Sequence, residues 1–226
     1  MDTNTKARWD TILTVVLVGC AVLTTGLVLR RELFPQASAP VMPQKPVFID
    51  NWQAHLDKGA RVGSPEAPVQ LIEFADYECP FCASFHTTLE AVRKQYPTQL
   101  ALTYVHYPIQ GHRFAEPAAR VVECAGEQGR FEAMHARLYQ WQNQMGLKPW
   151  NAFAAEAGVP NLAAFESCVQ ETEPVAKVVE GRKLGNELGV QGTPTIVING
   201  WKLPRPPSAT ELDAMVSSIL QGRDPV

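Results

Sequence analysis

Hydrophobic and polar positions alternate in regimes that change several times along the chain. The first regime is unbroken: Thr11 to Leu29, TILTVVLVGCAVLTTGLVL, carries no charge over 19 residues. A helix of that length spans roughly 28 Å, close to the thickness of a bilayer's hydrocarbon core. Lys6 and Arg8 precede it and Arg30 and Arg31 follow it, so basic flanks alone do not orient it. The run is longer than the apolar part of a cleavable leader, which predicts an uncleaved signal anchor over 11–29 behind a short tail at 1–10. One specific rival is Leu17-Val18-Gly19-Cys20, which resembles a lipobox, although the residues after Cys20 stay apolar. Residues 30–50 contain Pro35, Pro40, Pro43 and Pro46 and read as a stiff linker, with a folded domain over 51–226.

Within that domain the pattern changes to strands and helices. Val69–Ala75 is a short apolar run that reads as a buried strand. From Pro80 onward Cys82, Phe85, Leu89, Val92 and Tyr96 recur at helical steps of three and four. Leu100–Tyr107 is rich in β-formers and ends before Pro108. Residues from Phe114 to about Glu171 keep helical period, with stripes at Phe131, Met134, Leu138 and Trp141 and at Leu162, Phe165 and Val169. A further helix runs from Val175 to Leu188, stopped by Gly189. Thr195–Asn199 is a strand, Asn199-Gly200 signals a hairpin into Trp201–Leu203, and Ser208 with Glu211 forms a capping box for a last helix. The order predicts a mixed α/β fold with a helical insertion at about 113–171.

Charge narrows the function. The chain has 20 Lys and Arg against 23 Asp and Glu, a net charge of -3, so no basic surplus exists to bind a nucleic-acid backbone.

The chemistry concentrates in Cys79-Pro80-Phe81-Cys82, placed where a strand hands over to a helix. A thiolate at a helix N-terminus is stabilised by free backbone N–H groups and the dipole, and Pro suits the first helical position. Cys79 is therefore the expected attacking thiol, and Cys82, one turn deeper, the resolving one. A C-x-x-C is also half a zinc site, and His86 on the same helix is a candidate third ligand for a metal-binding module.

EFADYECPFC, followed a hundred residues later by Gly192-Thr193-Pro194-Thr195, resembles the DsbA-like branch of the thioredoxin superfamily. The likeness extends through Cys124-Ala125-x-Glu127-Gln128-Gly129-x-Phe131 and Met134-His135, and covers roughly residues 65–222. It implies a thioredoxin-like fold with a helical insertion, preceded here by one membrane helix. It also implies a cis bond before Pro194, with Thr193 and Pro194 beside the C-x-x-C sulfurs. Glu73 falls where the family places a buried acid that assists proton transfer; a partly solvated strand carboxylate is the other reading. Some relatives bridge the insertion by a disulfide, which implies a Cys124–Cys168 pair here, with two buried free thiols as the alternative.

The family's activity implies a thiol–disulfide oxidoreductase on the extracytoplasmic side of a membrane. It would need no cofactor beyond the Cys79–Cys82 couple. Its partners would be client proteins with cysteines and a membrane redox partner. Dimeric isomerases carry an extra dimerisation domain, and residues 32–64 are too few to build one, which favours a monomeric oxidase over such an isomerase and leaves a membrane-anchored reductase as the alternative.

Two departures bear on direction. The best-known member has Pro-His between its cysteines and this chain has Pro-Phe. With Asp76 and Glu78 close by, that should raise the Cys79 pKa and make the disulfide less oxidising. Thr193 before the proline occurs in isomerase and reductase relatives as well as in some oxidases. His112 and His135 recur in the insertion pattern and are expected to pack or hydrogen-bond. Trp150 and Trp201 either line a groove or pack.

Overall fold

A computed structural model describes residues 12–26 and 45–226. Residues 12–26 form a helix, α1, with apolar side chains such as Ile12, Leu17 and Leu23 exposed. Among the described residues no helix is both long and apolar enough to cross a membrane. The ends of the expected 11–29 anchor, the tail at 1–10 and residues 30–44 of the expected linker lie outside the described residues.

Residues 45–226 form one compact unit around a six-stranded sheet. Its strands are β1 (Val47–Phe48), β2 (Ala60–Val62), β3 (Val69–Ala75), β4 (Leu100–His106), β5 (Thr195–Ile198) and β6 (Trp201–Lys202). They lie in the order β1-β6-β5-β3-β4-β2. β3 pairs parallel with β4 and antiparallel with β5. Every residue of β3 and β4 is buried, which is why both read as nearly continuous apolar runs with little alternation.

The sheet starts earlier than the expected domain boundary at 51. Val47 and Phe48 pair with Lys202 and Trp201, so the last residues of the expected 30–50 linker are an edge strand. β2 was also unforeseen, a second edge held by Leu102, Thr103 and Tyr104.

Helices cover both faces. One carries α2 (Pro80–Arg93), α8 (Ala209–Leu220) and the insertion, and the other carries α7 (Ala176–Glu187). The insertion consists of α3 (Ala115–Gly126), α4 (Phe131–Gln140), α5 (Trp150–Glu156) and α6 (Leu162–Val169). Cys124 on α3 and Cys168 on α6 are joined in a disulfide, with Cα atoms 5.9 Å apart. The larger core lies between the sheet and α2, α8 and the insertion, where Cys82, Phe85, Leu89 and Val92 meet Leu71, Leu102 and Tyr104. The smaller core sets Ile72, Phe74, Val105 and Val197 against Leu184 of α7.

Turn chemistry fixes the register of β5 and β6. Asn199 and Gly200 both take positive φ, 41° and 89°, the backbone that a two-residue hairpin needs. The Asn199 side chain then accepts from the Gln70 N–H at 2.7 Å and donates to the Pro68 carbonyl at 3.0 Å, tying the hairpin to β3. The Ser208–Glu211 capping box starts α8 as the sequence predicts.

Candidate active site

Cys79 is the N-cap of α2, with φ -73° and ψ 120°, and Pro80 opens the helix. Its N–H donates to the Asp76 carbonyl at 3.1 Å, closing a tight turn out of β3. Both cysteines are buried, Cys79 at 3% exposure and Cys82 at 0%, and both are free thiols. The Thr193–Pro194 bond is cis, and the Cys79 thiol donates to the Thr193 carbonyl at 3.4 Å. Residues from β3, α2 and the loop before β5 thus meet at one point, as the family resemblance implied.

The two sulfurs are electrostatically unequal. Hydrogen bonding from Cys82, helped by the nearby Thr193 side chain and the backbone of Cys82 and Phe81, lowers Cys79 to about 5 against the opposing effect of burial. Burial pushes the Cys82 thiol far up, and its hydrogen bond to Cys79 and the charge of Glu73 add to that. Glu73 lies on the β3 face shared with Leu71 and Ala75, at 1% exposure. Its Oε1 has no hydrogen-bond partner among the described residues. Burial first, and then the charge of Cys79, raise its carboxyl to about 8. The reading of Glu73 as a partly solvated strand carboxylate does not hold.

Asp76 and Glu78, expected to oppose a thiolate, are both engaged by donors. Asp76 accepts from the Glu78 N–H at 2.7 Å, the Ile109 N–H at 2.9 Å and His112 Nδ1 at 2.7 Å. Glu78 accepts from the Phe114 N–H at 2.5 Å. These bonds dock the loop before α3 onto the turn that presents Cys79. A second strap comes from beyond α4, where Gln142 donates to the carbonyls of Tyr77 and Cys79 at 2.7 and 2.9 Å. Sequence reasoning missed Gln142, and it saw Asp76 only as a charge. The signal available was an acid at the turn before the C-x-x-C, a position that favours capping by side-chain oxygens.

Behind Cys82 lies a buried ring cluster. The Tyr104 and Tyr139 hydroxyls are 2.8 Å apart, and the Tyr77 hydroxyl is 2.8 Å from His135 Nδ1. His86 stacks on Tyr139 with centroids 4.8 Å apart. Among the described residues no group of three or more His, Cys, Asp or Glu is placed to hold a metal ion, so His86 does not complete a site with Cys79 and Cys82. His135 serves the packing and hydrogen-bonding role expected of it. Trp150 is partly buried against the main core, and Trp201 sets its ring 5.3 Å from that of Phe48.

A family model described as Thioredoxin matches residues 56–218. Among solved structures, a thioredoxin-like oxidoreductase from Silicibacter pomeroyi DSS-3 superposes with a TM-score of 0.61 at 24% identity, covering 76% of this chain and 96% of that one. BdbD from Bacillus subtilis gives 0.62 at 19% identity, with 80% and 98% covered. Both share the fold. A curated relative, the Na(+)/H(+) antiporter NhaA 1 of Mycolicibacterium gilvum (strain PYR-GCK), is 29% identical over 153 residues, 66% of this chain and 25% of the antiporter. The chain therefore spans about a quarter of the length of the curated relatives it matches first.

Proposed function

The chain belongs to the thioredoxin family, and we propose that it works as a protein thiol–disulfide oxidoreductase that donates the Cys79–Cys82 disulfide to client proteins. The observation that carries this reading is the inequality of the two thiols. Cys79 is held near 5 at the N-cap of α2, while Cys82 is buried and pushed up. A stabilised Cys79 thiolate favours the reduced pair, and a couple whose reduced form is favoured is an oxidant.

The reaction balances as two exchanges. A client thiolate attacks Cys79 Sγ of the disulfide; the S–S bond breaks, and Cys82 leaves and takes a proton, for which the neutral Glu73 carboxyl is the buried source. A second client thiolate then attacks the client sulfur of the mixed disulfide, and Cys79 leaves as its stabilised thiolate. The client loses two electrons, which the Cys79–Cys82 pair holds as a dithiol until a membrane partner accepts them. Thr193 and Pro194 flank the sulfurs, where a client chain would lie. No cofactor and no nucleic acid enter this scheme, and the domain works as a monomer.

The 19-residue uncharged run at 11–29 would anchor the domain on the extracytoplasmic side, where clients acquire disulfides. The exposed apolar side chains along α1 support contact with lipid, and the side is inferred from the dithiol chemistry alone.

The test is the equilibrium reduction potential of Cys79–Cys82, read by thiol trapping and mass spectrometry. A value near or above roughly -150 mV is expected of an oxidase, and one near about -270 mV would make this a reductase.

A further inference from the structure

The dipeptide between the cysteines offers no charge to a thiolate, since Pro80 is neutral and Phe81 is an apolar ring exposed at 72%. Two acids sit within three residues of Cys79 on its N-terminal side. The structure answers them with a residue more than thirty positions away. Asp76 Oδ2 receives both the Ile109 N–H and His112 Nδ1, while the Asp76 carbonyl receives the Cys79 N–H. One residue therefore fixes the imidazole and the nucleophile's turn together.

We infer that His112, held by Asp76 beside the C-x-x-C turn, is a positioning residue whose imidazolium offsets the local acids and sets the charge seen by the Cys79 sulfur. The inference rests on the oxidoreductase reading of the same site. With Nδ1–H donating to a carboxylate, Nε2 is left to take up the proton, and the side chain is 29% exposed and so in contact with solvent. The groups facing it are Asp76, Glu78 and Cys79 of the turn, with Arg113 next to it in the chain and placed over the Phe114 ring. Burial pulls His112 down, but the hydrogen bond and charge of Asp76, with Glu78 and Cys79, outweigh it and leave the imidazole above its ordinary value. Coupling between two charges is reciprocal, so a thiolate that raises His112 is itself lowered by His112.

Two measurements on the reduced full-length chain in detergent test this. The first follows carbamidomethylation of Cys79 against pH by mass spectrometry, in the native chain and in His112→Asn, which retains a donor for Asp76 and loses the charge. The Cys79 midpoint should rise by about half to one pH unit in the variant, reduced from the full effect of a close ion pair because the imidazole is partly exposed. The equilibrium with glutathione should move toward the disulfide by roughly three- to tenfold, and the difference between the two chains should close as pH rises past the His112 midpoint.

The second needs no substitution and decides the matter if the variant fails to fold. The His112 midpoint, followed by proton NMR, should be higher in the dithiol than in the disulfide form. Equal His112 midpoints in the two redox forms, or a folded Asn variant within about twofold of the native equilibrium, would overturn the inference. Oxidation of a two-cysteine peptide is scored separately. Its failure with the two midpoints still coupled removes the oxidase reading alone, whereas uncoupled midpoints in a chain that oxidises the peptide remove the role of His112 alone.

Discussion

The Cys79 thiol and the Thr193 carbonyl are hydrogen-bonded at 3.4 Å although 114 residues separate them in the chain. The contact puts the Cys79 sulfur against the loop before β5. It also brings up the Thr193 hydroxyl, which is buried without a hydrogen-bond partner among the described residues and helps to lower the Cys79 thiolate.

Thr193→Val separates these effects, because valine keeps the shape and removes the hydroxyl. The Cys79 midpoint should rise above its native value near 5. Stability should hold or gain by up to about 1 kcal/mol, since an unsatisfied buried hydroxyl is removed. The pH profile of alkylation and a thermal melt check both, and an unmoved midpoint would show that the backbone carbonyl alone meets the sulfur.

Removing the Cys124–Cys168 bridge acts on stability and not on the redox pair. The bridge closes a loop across a sequence separation of 44, far from the C-x-x-C in sequence. Replacing both cysteines by alanine should lower unfolding free energy by about 2–4 kcal/mol. The Cys79–Cys82 equilibrium with glutathione should be unchanged, and a shifted equilibrium would mean that the insertion's rigidity reaches the site.

The elements legible in the sequence are those whose signal is local. β3 and β4 are apolar runs between turn residues, α2 keeps its stripe from Cys82 to Val92, and α8 announces itself through Ser208 and Glu211. The placement of Cys79 at the N-cap and of Cys82 one turn deeper follows from the helix start alone. What stayed hidden depends on partners distant in sequence. β1 and β2 have two and three residues, too few to show a period, and exist because Trp201–Lys202 and Leu102–Tyr104 offer them ladders. Asp76 looked like a charge opposing Cys79, because only the Glu78 bond is local and nothing nearby in the chain reveals that Ile109 and His112 also converge on its carboxylate. Gln142 is equally silent until the insertion folds back over Tyr77 and Cys79.

α7 lies close on the sheet because Gly181 and Gly185 face it. A Cβ at Gly181 would sit 2.2 Å from the His106 carbonyl oxygen, and one at Gly185 would sit 2.3 Å from the Tyr107 ring. At Gly181 the obstacle is backbone, so the helix itself must shift. Gly181→Ala should cost about 1–3 kcal/mol in a denaturant titration despite alanine's better helix propensity. A neutral or stabilising result would mean that α7 moves freely over β4.

Glu73 links stability to catalysis with opposite signs. Its folded carboxyl near 8 stands above an ordinary 4.5. Between those values the unfolded chain releases the proton first, so stability is lost as pH rises through this window and is level outside it. At pH 7 the loss is about 3 kcal/mol relative to pH 4.5. Glu73→Gln cannot ionise, so the variant should match the native chain near pH 4.5, exceed it near pH 8 and show no dependence between. The same change removes a buried acid whose charge acts on Cys82, a thiol that burial keeps protonated. Attack of Cys82 on a Cys79–glutathione mixed disulfide should then slow by roughly ten- to a hundredfold and lose the rise toward pH 8 that ionised Glu73 gives the native chain. Stopped-flow release of glutathione measures that step. A variant with native rate and native pH profile would remove Glu73 from proton transfer, and the stability window would stand by itself as the cost of burying the acid.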